Sequence, residues 1–323
     1  MQPTVPRTRT GRPVLGGIAV KINDSKRPSG AVRKLKSDRV FIIVDVLILF
    51  CIAIVTLYPF LDTLLSSLSP TVDLMRNAKK IIRIPSYVDW SNYVYVLKGA
   101  QTLTSIKVTV SRTLIGTVLC LTITALTAYP LSKHDLPGGK VIMGAFLFTM
   151  VFQAGMIPTF LAIKQYKLID TFWALLLPEM LSVYNMIIMR TFFSSLPNEL
   201  MEAASIDGCS ELGILVRIVL PLSMPVLASI GLFYAVWHWN SWFDAVLYIT
   251  NRKLWPLQTL LREILLSSSL SELEQGSLLD GATPPATTVQ AAAIMVSVIP
   301  IACVYPFLQK HFVKGMMIGS VKG

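Results

Sequence analysis

Charged side chains are scarce in this 323-residue sequence: Asp, Glu, Lys and Arg together make up 15% of it, whereas apolar residues make up 53%. A soluble domain carries about 25% charged residues, so the composition argues against a cytosolic globular enzyme. A disordered chain is excluded as well, because disorder requires low hydrophobicity. At about 20 apolar residues per membrane crossing, the composition predicts an all-α integral membrane protein with five to seven helices.

Cysteine and histidine are also few, and neither forms a cluster. The four cysteines and three histidines are Cys51, Cys120, Cys209, Cys303, His134, His238 and His311. Because no Cys-x-x-Cys pair or Cys/His cluster occurs, the sequence predicts neither a disulfide framework nor a metal site.

Motifs for catalysis and nucleotide binding are missing too. No Gly-x-x-x-x-Gly-Lys-Ser/Thr loop occurs, and the Gly139-Lys140 pair precedes Val141, which lacks the hydroxyl that such loops offer to magnesium. No His cluster, paired carboxylate or nucleophile elbow indicates a membrane enzyme. The chain is therefore predicted to be non-catalytic and to hold no cofactor of its own.

Six apolar stretches predict six transmembrane helices, at about 40–61, 113–131, 141–163, 172–189, 226–249 and 291–308. In the second stretch, Gly116, Cys120, Thr124 and Ala128 are spaced by four residues, which lets another helix approach closely. Six crossings put both termini on one side. With that side inside, 17 of the 29 Lys and Arg are cytoplasmic, and ten of these lie in residues 1–39.

The predicted domain organisation follows from these crossings. Residues 1–39 form a basic cytoplasmic tail, 40–308 a transmembrane domain with a cytoplasmic loop at 190–221, and 309–323 a cytoplasmic carboxyl-terminal tail. The net charge of +11 does not indicate nucleic acid, because the basic residues concentrate in the first tail. We interpret that tail as attracted to anionic membrane lipid, since no motif indicates a dedicated regulatory partner.

The loop at 190–221 carries the most informative pattern. It contains Glu202-Ala203-Ala204, three residues, Gly208, nine residues, and Ile218-Val-Leu220-Pro221. Pro197 suits the first turn of a helix, and Gly208, after Asp207, suits the left-handed geometry that ends one. A second helix at about 210–219 would lead into the fifth crossing at Pro221. Glu-Ala-Ala alone is common and an amphipathic loop could rest on the headgroups, but the full pattern predicts a projecting helical hairpin that fits a groove on another protein.

This pattern resembles the EAA loop of the permease subunits of type I ABC importers. Every defined position of the EAA loop is filled here. The carbohydrate-import branch, with its maltose-permease-like inner-membrane subunits, shares the further stretches 128–133, 239–242, 309–315 and 319–323. The resemblance covers residues 40–323.

The resemblance implies a mechanism and partners. In such importers the EAA helix docks in a cleft of a cytoplasmic ATPase that binds ATP and magnesium, and closure of the ATPase pair moves the membrane helices. Here Glu202 would be the charged contact, Ala203 and Ala204 the close-packing surface, and Gly208 the turn, with Asp207, Ile218, Leu220 and Pro221 completing the coupling site. Gln309, Lys314 and Gly315 would lie in a tail running towards the ATPases.

The resemblance also implies an assembly in the cytoplasmic membrane of a bacterium. Two ATPase subunits, a second and non-identical permease and an extracytoplasmic solute-binding protein would complete it.

Polar residues inside or beside the predicted crossings are candidates for the transport pathway: Gln153, Glu179, Trp237, His238, Asn240 and Asp244. A charge at the bilayer centre costs about 2.5–3.5 kcal/mol on insertion scales, so such residues face a cavity or a partner. Asn240 and Asp244, four apart, are predicted to share a helix face, and nearby tryptophans suit sugar rings. An interfacial aromatic belt is the alternative for the tryptophans, and pairing within the subunit assembly is the alternative for Glu179.

The leading hypothesis is a transmembrane subunit of an ATP-driven importer for a sugar or oligosaccharide. An autonomous secondary transporter, which would show matched broken crossings in two repeats, is the competing class. The same machinery importing a non-sugar solute is the other alternative.

Overall fold

The computed structural model describes residues 36–70, 72–73, 84–133, 135–274 and 287–303, and every regular element among them is helical. The helices are α1 (Lys36–Ser67), α2 (Ser91–Lys98), α3 (Ala100–Ser132), α4 (Gly139–Val151), α5 (Met156–Gln165), α6 (Val183–Ser194), α7 (Asn198–Ile206), α8 (Glu211–Leu222), α9 (Met224–Asn240), α10 (Phe243–Tyr248), α11 (Leu257–Glu274) and α12 (Thr287–Cys303). Short 3₁₀ turns occupy Phe172–Leu175, Leu177–Glu179 and Arg252–Leu254.

The membrane-crossing capacity of these helices agrees with an integral membrane protein. Among the described residues, two helices, Phe41–Ser67 and Ala100–Ser132, are long and apolar enough to cross a bilayer, and the number reaches five if three bent helix pairs each count as one crossing. Five of the six predicted stretches lie mainly on these helices, the fifth continuing into α10, and the described part of the sixth, 291–303, lies on α12. The count of six and the placement of the termini stay predictions.

Three of the predicted crossings are not straight helices. The stretch 141–163 is broken between α4 and α5, whose axes differ by 112°, and the stretch 172–189 begins as 3₁₀ turns that meet α6 at 55°. The stretch 226–249 is broken at Ser241, whose backbone is extended. Gly155, at φ +82°, explains the first break, because a left-handed backbone favours glycine.

The chain divides into two compact units, the first ending at Thr56 and the second beginning at Leu57. In the second unit α3 is the central helix and packs along α9 and α6. The predicted small-residue stripe lies at this crossing: Cys120, Thr124 and Ala128 are fully buried. A methyl group built on Gly116 would overlap the imidazole of His238, so glycine at this position permits the close approach of α9.

Candidate functional site

The predicted helical hairpin in the loop 190–221 forms as α7 and α8, and we call residues 198–222 the α7–α8 hairpin. Pro197 precedes α7 as its cap residue, one position before the predicted first turn. Gly208 has φ +80°, and the amide of Cys209 donates to the carbonyl of Ala204 at 2.9 Å, which closes the end of α7. Ser210 then caps α8 by accepting from the amide of Gly213 at 3.2 Å. Local chain chemistry therefore determines this turn.

The predicted coupling residues lie on the hairpin and differ in how deeply they are buried. No residue of α7 is buried; Glu202 and Ala203 are exposed, as are Asp207 and Gly208 in the turn. Ala204 and Leu220 are half-buried against the core, Ile218 is half-buried, and Pro221 is exposed. Ile206, at the tip of α7, is 86% exposed. An exposed acidic and apolar helix of this kind suits a protein partner.

The base of the hairpin is held by the ends of α3 and α6. Glu211 accepts from Lys133 Nζ and, at 2.8 Å, from the hydroxyl of Tyr129. These hydrogen bonds, that of Lys133 first, lower the pKa of Glu211. Arg190 Nε donates to the carbonyl of Leu131 at 2.7 Å. α8 meets α9 at 86° across the single residue Ser223, so the hairpin is joined directly to α9.

The apolar base of α8 adds to this attachment, since Ile214, Leu215 and Val219 are buried with Phe193 of α6. A π-helical segment, Leu215–Val219, lies in the middle of α8. The predicted tail contacts Gln309, Lys314 and Gly315 lie outside the described residues.

Four of the six candidate pathway residues line one cavity of about 530 Å³: Gln153, Glu179, Trp237 and Asp244. Tyr248, which is buried, lines it as well, and the ring of Phe160 stacks on Tyr248 with centroids 6.3 Å apart. We call this space the central cavity. The cavity brings together residues that are up to 95 positions apart in sequence.

The other two candidates lie elsewhere. His238 is fully buried between α3 and α9, where Nε2 is 3.5 Å from Cys120 Sγ, so it packs the core instead of lining the cavity. Asn240 donates to the carbonyl of Val236 at 2.8 Å and lines a second cavity of about 580 Å³ with Gln258 and Ser297. The prediction that Asn240 shares a helix face with Asp244 is wrong, because the helix ends between them at Ser241.

Arg112 is the residue that the sequence analysis missed. Its side chain is 0% exposed and forms an ion pair with Asp244, with Nη1 3.3 Å from Asp244 Oδ1. The same Nη1 donates to the carbonyl of Ser241 at 3.5 Å, and the guanidinium lies 5.7 Å from the ring centroid of Trp237. The predicted second crossing began at 113, whereas α3 begins at Ala100, so Arg112 lies well inside the helix. A lone Arg preceding a small-residue stripe was the available signal.

No group of three or more His, Cys, Asp or Glu side chains that could hold a metal ion occurs in the part of the chain that the structure describes.

Comparison with known proteins places these features in a family. The family described as "Binding-protein-dependent transport system inner membrane component" matches residues 141–318. The chain belongs to this family. The matched range contains the α7–α8 hairpin and the residues of the central cavity named above, whereas Arg112 lies before it.

Relatives within the family carry transport descriptions. The chain is 42% identical over 275 residues to the polygalacturonan/rhamnogalacturonan transport system permease protein YtcP of Bacillus subtilis, covering 85% of this chain and 96% of that protein. It is 30% identical over 277 residues to the arabinooligosaccharides transport system permease protein AraQ of Halalkalibacterium halodurans, covering 84% and 93%.

A solved structure supports the same assignment of the fold. A chain of a bacterial ABC transporter involved in the import of the acidic polysaccharide alginate is 34% identical, covers 86% of this chain and 98% of that chain, and superposes with a TM-score of 0.78. The resemblance to permease subunits of sugar-importing ABC transporters, inferred from the EAA loop, is thereby confirmed, as is the all-helical permease fold.

Proposed function

We propose that this chain is the transmembrane subunit of an ATP-driven importer that moves a saccharide across the cytoplasmic membrane of a bacterium. The names of its relatives support a saccharide, because polygalacturonan, rhamnogalacturonan, arabinooligosaccharides and alginate are all carbohydrates. They do not agree on charge, since alginate, polygalacturonan and rhamnogalacturonan contain uronic acids, whereas arabinooligosaccharides are neutral. The relatives therefore support the class of solute, a saccharide, and not its charge. The charge of the solute has to be inferred from the residues that line the transport pathway.

The α7–α8 hairpin is the proposed docking element for a separate ATPase. Glu202 and Ala203 are exposed on α7, and Ile206 presents an apolar side chain at its tip. A helix with a small-residue face and flanking acidic groups fits a groove with basic rims. The chain itself contains no phosphate-binding loop, so ATP and magnesium would be bound by that partner.

Force would pass from the hairpin to the transport pathway through α9. The hairpin continues into α9 across Ser223, and Trp237, near the far end of α9, lines the central cavity. A helix is stiff along its axis, and 17 residues span about 25 Å. Movement of the hairpin by a closing ATPase pair would therefore change the cavity. This continuity is the single observation that carries the proposal.

The complete importer would contain two ATPase subunits, a second and non-identical permease and an extracytoplasmic solute-binding protein. The family description, which names binding-protein-dependent transport, supports the last of these. One chain with up to five described crossings would form half of a pathway, and the exposed apolar side chains of α3, α4 and α5 would face lipid or the second permease.

Reconstitution tests this function. The four kinds of subunit are incorporated into liposomes, and uptake of a labelled oligosaccharide is measured with ATP supplied to the ATPase side. We expect uptake that depends on ATP and stops when the phosphate-binding lysine of the ATPase is replaced. Uptake by this chain alone, driven by an ion gradient, would establish a secondary transporter instead.

A further inference from the structure

Three interruptions of the membrane helices meet at the central cavity. The first lies between α4 and α5 and contributes Gln153, the second follows the 3₁₀ turn that ends at Glu179, and the third contributes Ser241. Backbone groups outside a helix have no partner in lipid, so such breaks are tolerated at membrane depth only where they are buried in protein or line a hydrated space. Sites for transported solutes are built from broken helices for this reason.

The walls of the cavity are fixed by polar contacts rather than by apolar packing alone. The hydroxyl of Ser241 donates to Asp244 Oδ1 at 3.1 Å, and Arg112 holds the same carboxylate from behind. At the far end of α10, the amide of Asp170 donates to the carbonyl of Tyr248 at 3.0 Å, while Asp170 Oδ1 accepts from the amide of Asn251 at 2.8 Å. A site with fixed walls loses little entropy when a ligand binds.

The charges around the cavity are unbalanced. Its charged lining residues are Glu179 and Asp244. Arg112 stands behind Asp244 and is fully buried, so two carboxylates face one guanidinium and the net charge is −1. Asp244 is neutralised by its ion pair, whereas the Glu179 side chain is exposed at the cavity surface. Near a protein surface the effective dielectric constant is lower than that of bulk water, so a like charge brought close to Glu179 is repelled more than it would be in water.

The remaining lining groups suit a sugar without a charge. Trp237 is 37% exposed and offers an aromatic surface for the C–H face of a pyranose ring. The Glu179 carboxylate accepts hydrogen bonds from sugar hydroxyls, and the Gln153 amide both donates and accepts. A volume of about 530 Å³ lies within the range of small-molecule sites.

We propose that the central cavity is a subsite for a neutral, hydroxyl-bearing sugar unit and that Glu179 excludes a unit carrying a carboxylate. The inference rests on the proposed function, because it concerns the solute that the importer moves. It adds a selection by charge that the family relationship does not supply, since the relatives named above include transporters for acidic and for neutral saccharides.

Uptake ratios test this subsite. The complete importer in liposomes is given galactotriose or trigalacturonate, which have equal length and differ in charge, and ATP-dependent uptake of each is measured. The solute-binding protein contributes equally in every variant, so its preference cancels when the acidic-to-neutral ratio of a variant is divided by that of the wild type. We expect Glu179→Gln to raise this ratio about tenfold, which corresponds to about 1.4 kcal/mol.

Two further variants make the result specific. Gln153→Glu adds a carboxylate at an exposed position of the cavity lining and is expected to lower the acidic-to-neutral uptake ratio. This variant still tests the subsite if Glu179→Gln fails to fold. Glu263→Gln makes the same change as Glu179→Gln in a residue outside the cavity, where Glu263 pairs with Arg252, and is expected to leave the ratio unchanged.

Each outcome of these uptake measurements supports or overturns the subsite or the proposed function. Opposite shifts in Glu179→Gln and Gln153→Glu support the subsite. An unchanged ratio in both, with uptake retained, overturns the subsite and leaves the proposed function intact. Absence of ATP-dependent uptake of both sugars by the wild-type importer overturns the proposed function and the subsite with it.

Discussion

The two ends of α9 differ in which side chains around them are exposed and which are buried. At the amino-terminal end, the α7–α8 hairpin exposes apolar groups such as Ile206 and Leu212. Beside the carboxyl-terminal end, the charged side chain of Arg112 from α3 is completely buried and paired with Asp244. The hairpin thus presents surface that nothing in the described chain covers, whereas at the cavity end Arg112 and Asp244 neutralise each other. In the proposed function the hairpin end receives another protein, and the cavity end keeps a fixed polar site inside the membrane domain.

The two ends of α9 are also stabilised in different ways. The hairpin depends on local chain geometry, a glycine with positive φ and a serine cap, and is attached at its base through Glu211. The cavity end depends on a contact between α3 and α10 that spans 132 positions of sequence. Substitutions at the hairpin should therefore change local order and partner binding, and substitutions at the cavity end should change global stability.

Removal of the buried cation should have the largest effect. Arg112→Met leaves Asp244, whose side chain is 20% exposed, without its ion-pair partner. Loss of one member of a fully buried pair costs about 3–5 kcal/mol, so we expect a loss of up to that size. We expect the purified chain to unfold in detergent at a markedly lower temperature, as measured by thermal unfolding. The double variant Arg112→Met/Asp244→Leu should recover part of the lost unfolding temperature, because it leaves no unpaired charge at this position.

The matched control is Arg252→Met, which breaks the exposed pair of Arg252 with Glu263. An exposed pair contributes about 0–1 kcal/mol, so this variant should unfold close to the wild type. Equal losses from the two substitutions would remove the distinction between the ends of α9.

A smaller and local effect is expected at the hairpin turn. Gly208→Ala introduces a Cβ at φ +80° with no atom within 4 Å of it, so the change acts through backbone strain alone. A left-handed non-glycine residue costs about 1 kcal/mol. Amide hydrogen exchange in Asn198–Ile206 should become several-fold faster.

Gly144→Ala is the corresponding control, because its Cβ would also meet nothing within 4 Å but lies in the regular helix α4. It should be neutral or slightly stabilising, since alanine favours a helix. Unchanged exchange in Gly208→Ala would show that the turn does not hold α7 in place.

The smallest effect is expected at the base of the hairpin. The pKa of Glu211 is lowered in the folded chain, so its contribution to stability is fully present above the unfolded value near 4.5 and is lost as the pH falls through the lower folded value. The Glu211 side chain is 67% exposed, so water screens the pair with Lys133 to at most about 0.5 kcal/mol. Glu211→Gln should slightly accelerate hydrogen exchange in α8 at pH 7, and the difference should become smaller at pH 3. A difference that grows in acid would contradict the assignment.

The sequence was informative where structure is local. Pro197, Gly208 and Ser210 act on neighbouring residues, so the hairpin could be predicted with its turn, and the stripe from Gly116 to Ala128 predicted a close helix crossing. Four cavity residues were identified from their polarity alone.

The sequence failed where structure depends on distant contacts. Hydropathy placed Arg112 outside a crossing, because nothing in its neighbourhood reveals that Asp244 neutralises it. The break at Ser241 has no glycine or proline to mark it; the Ser241 carbonyl accepts from Arg112, and the Ser241 hydroxyl donates to Asp244. Because this end was read as one continuous helix, Asn240 was wrongly assigned to the face of Asp244.

Co-purification of the ATPase with Glu202→Arg tests most directly whether the α7–α8 hairpin receives force from a separate chain. Asp135→Arg makes the same charge reversal at another exposed position, between α3 and α4, and serves as the control. We predict that Glu202→Arg lowers the retained ATPase at least about tenfold while its amount in the membrane stays unchanged, and that Asp135→Arg retains the ATPase. Full retention of the ATPase by Glu202→Arg would contradict the account.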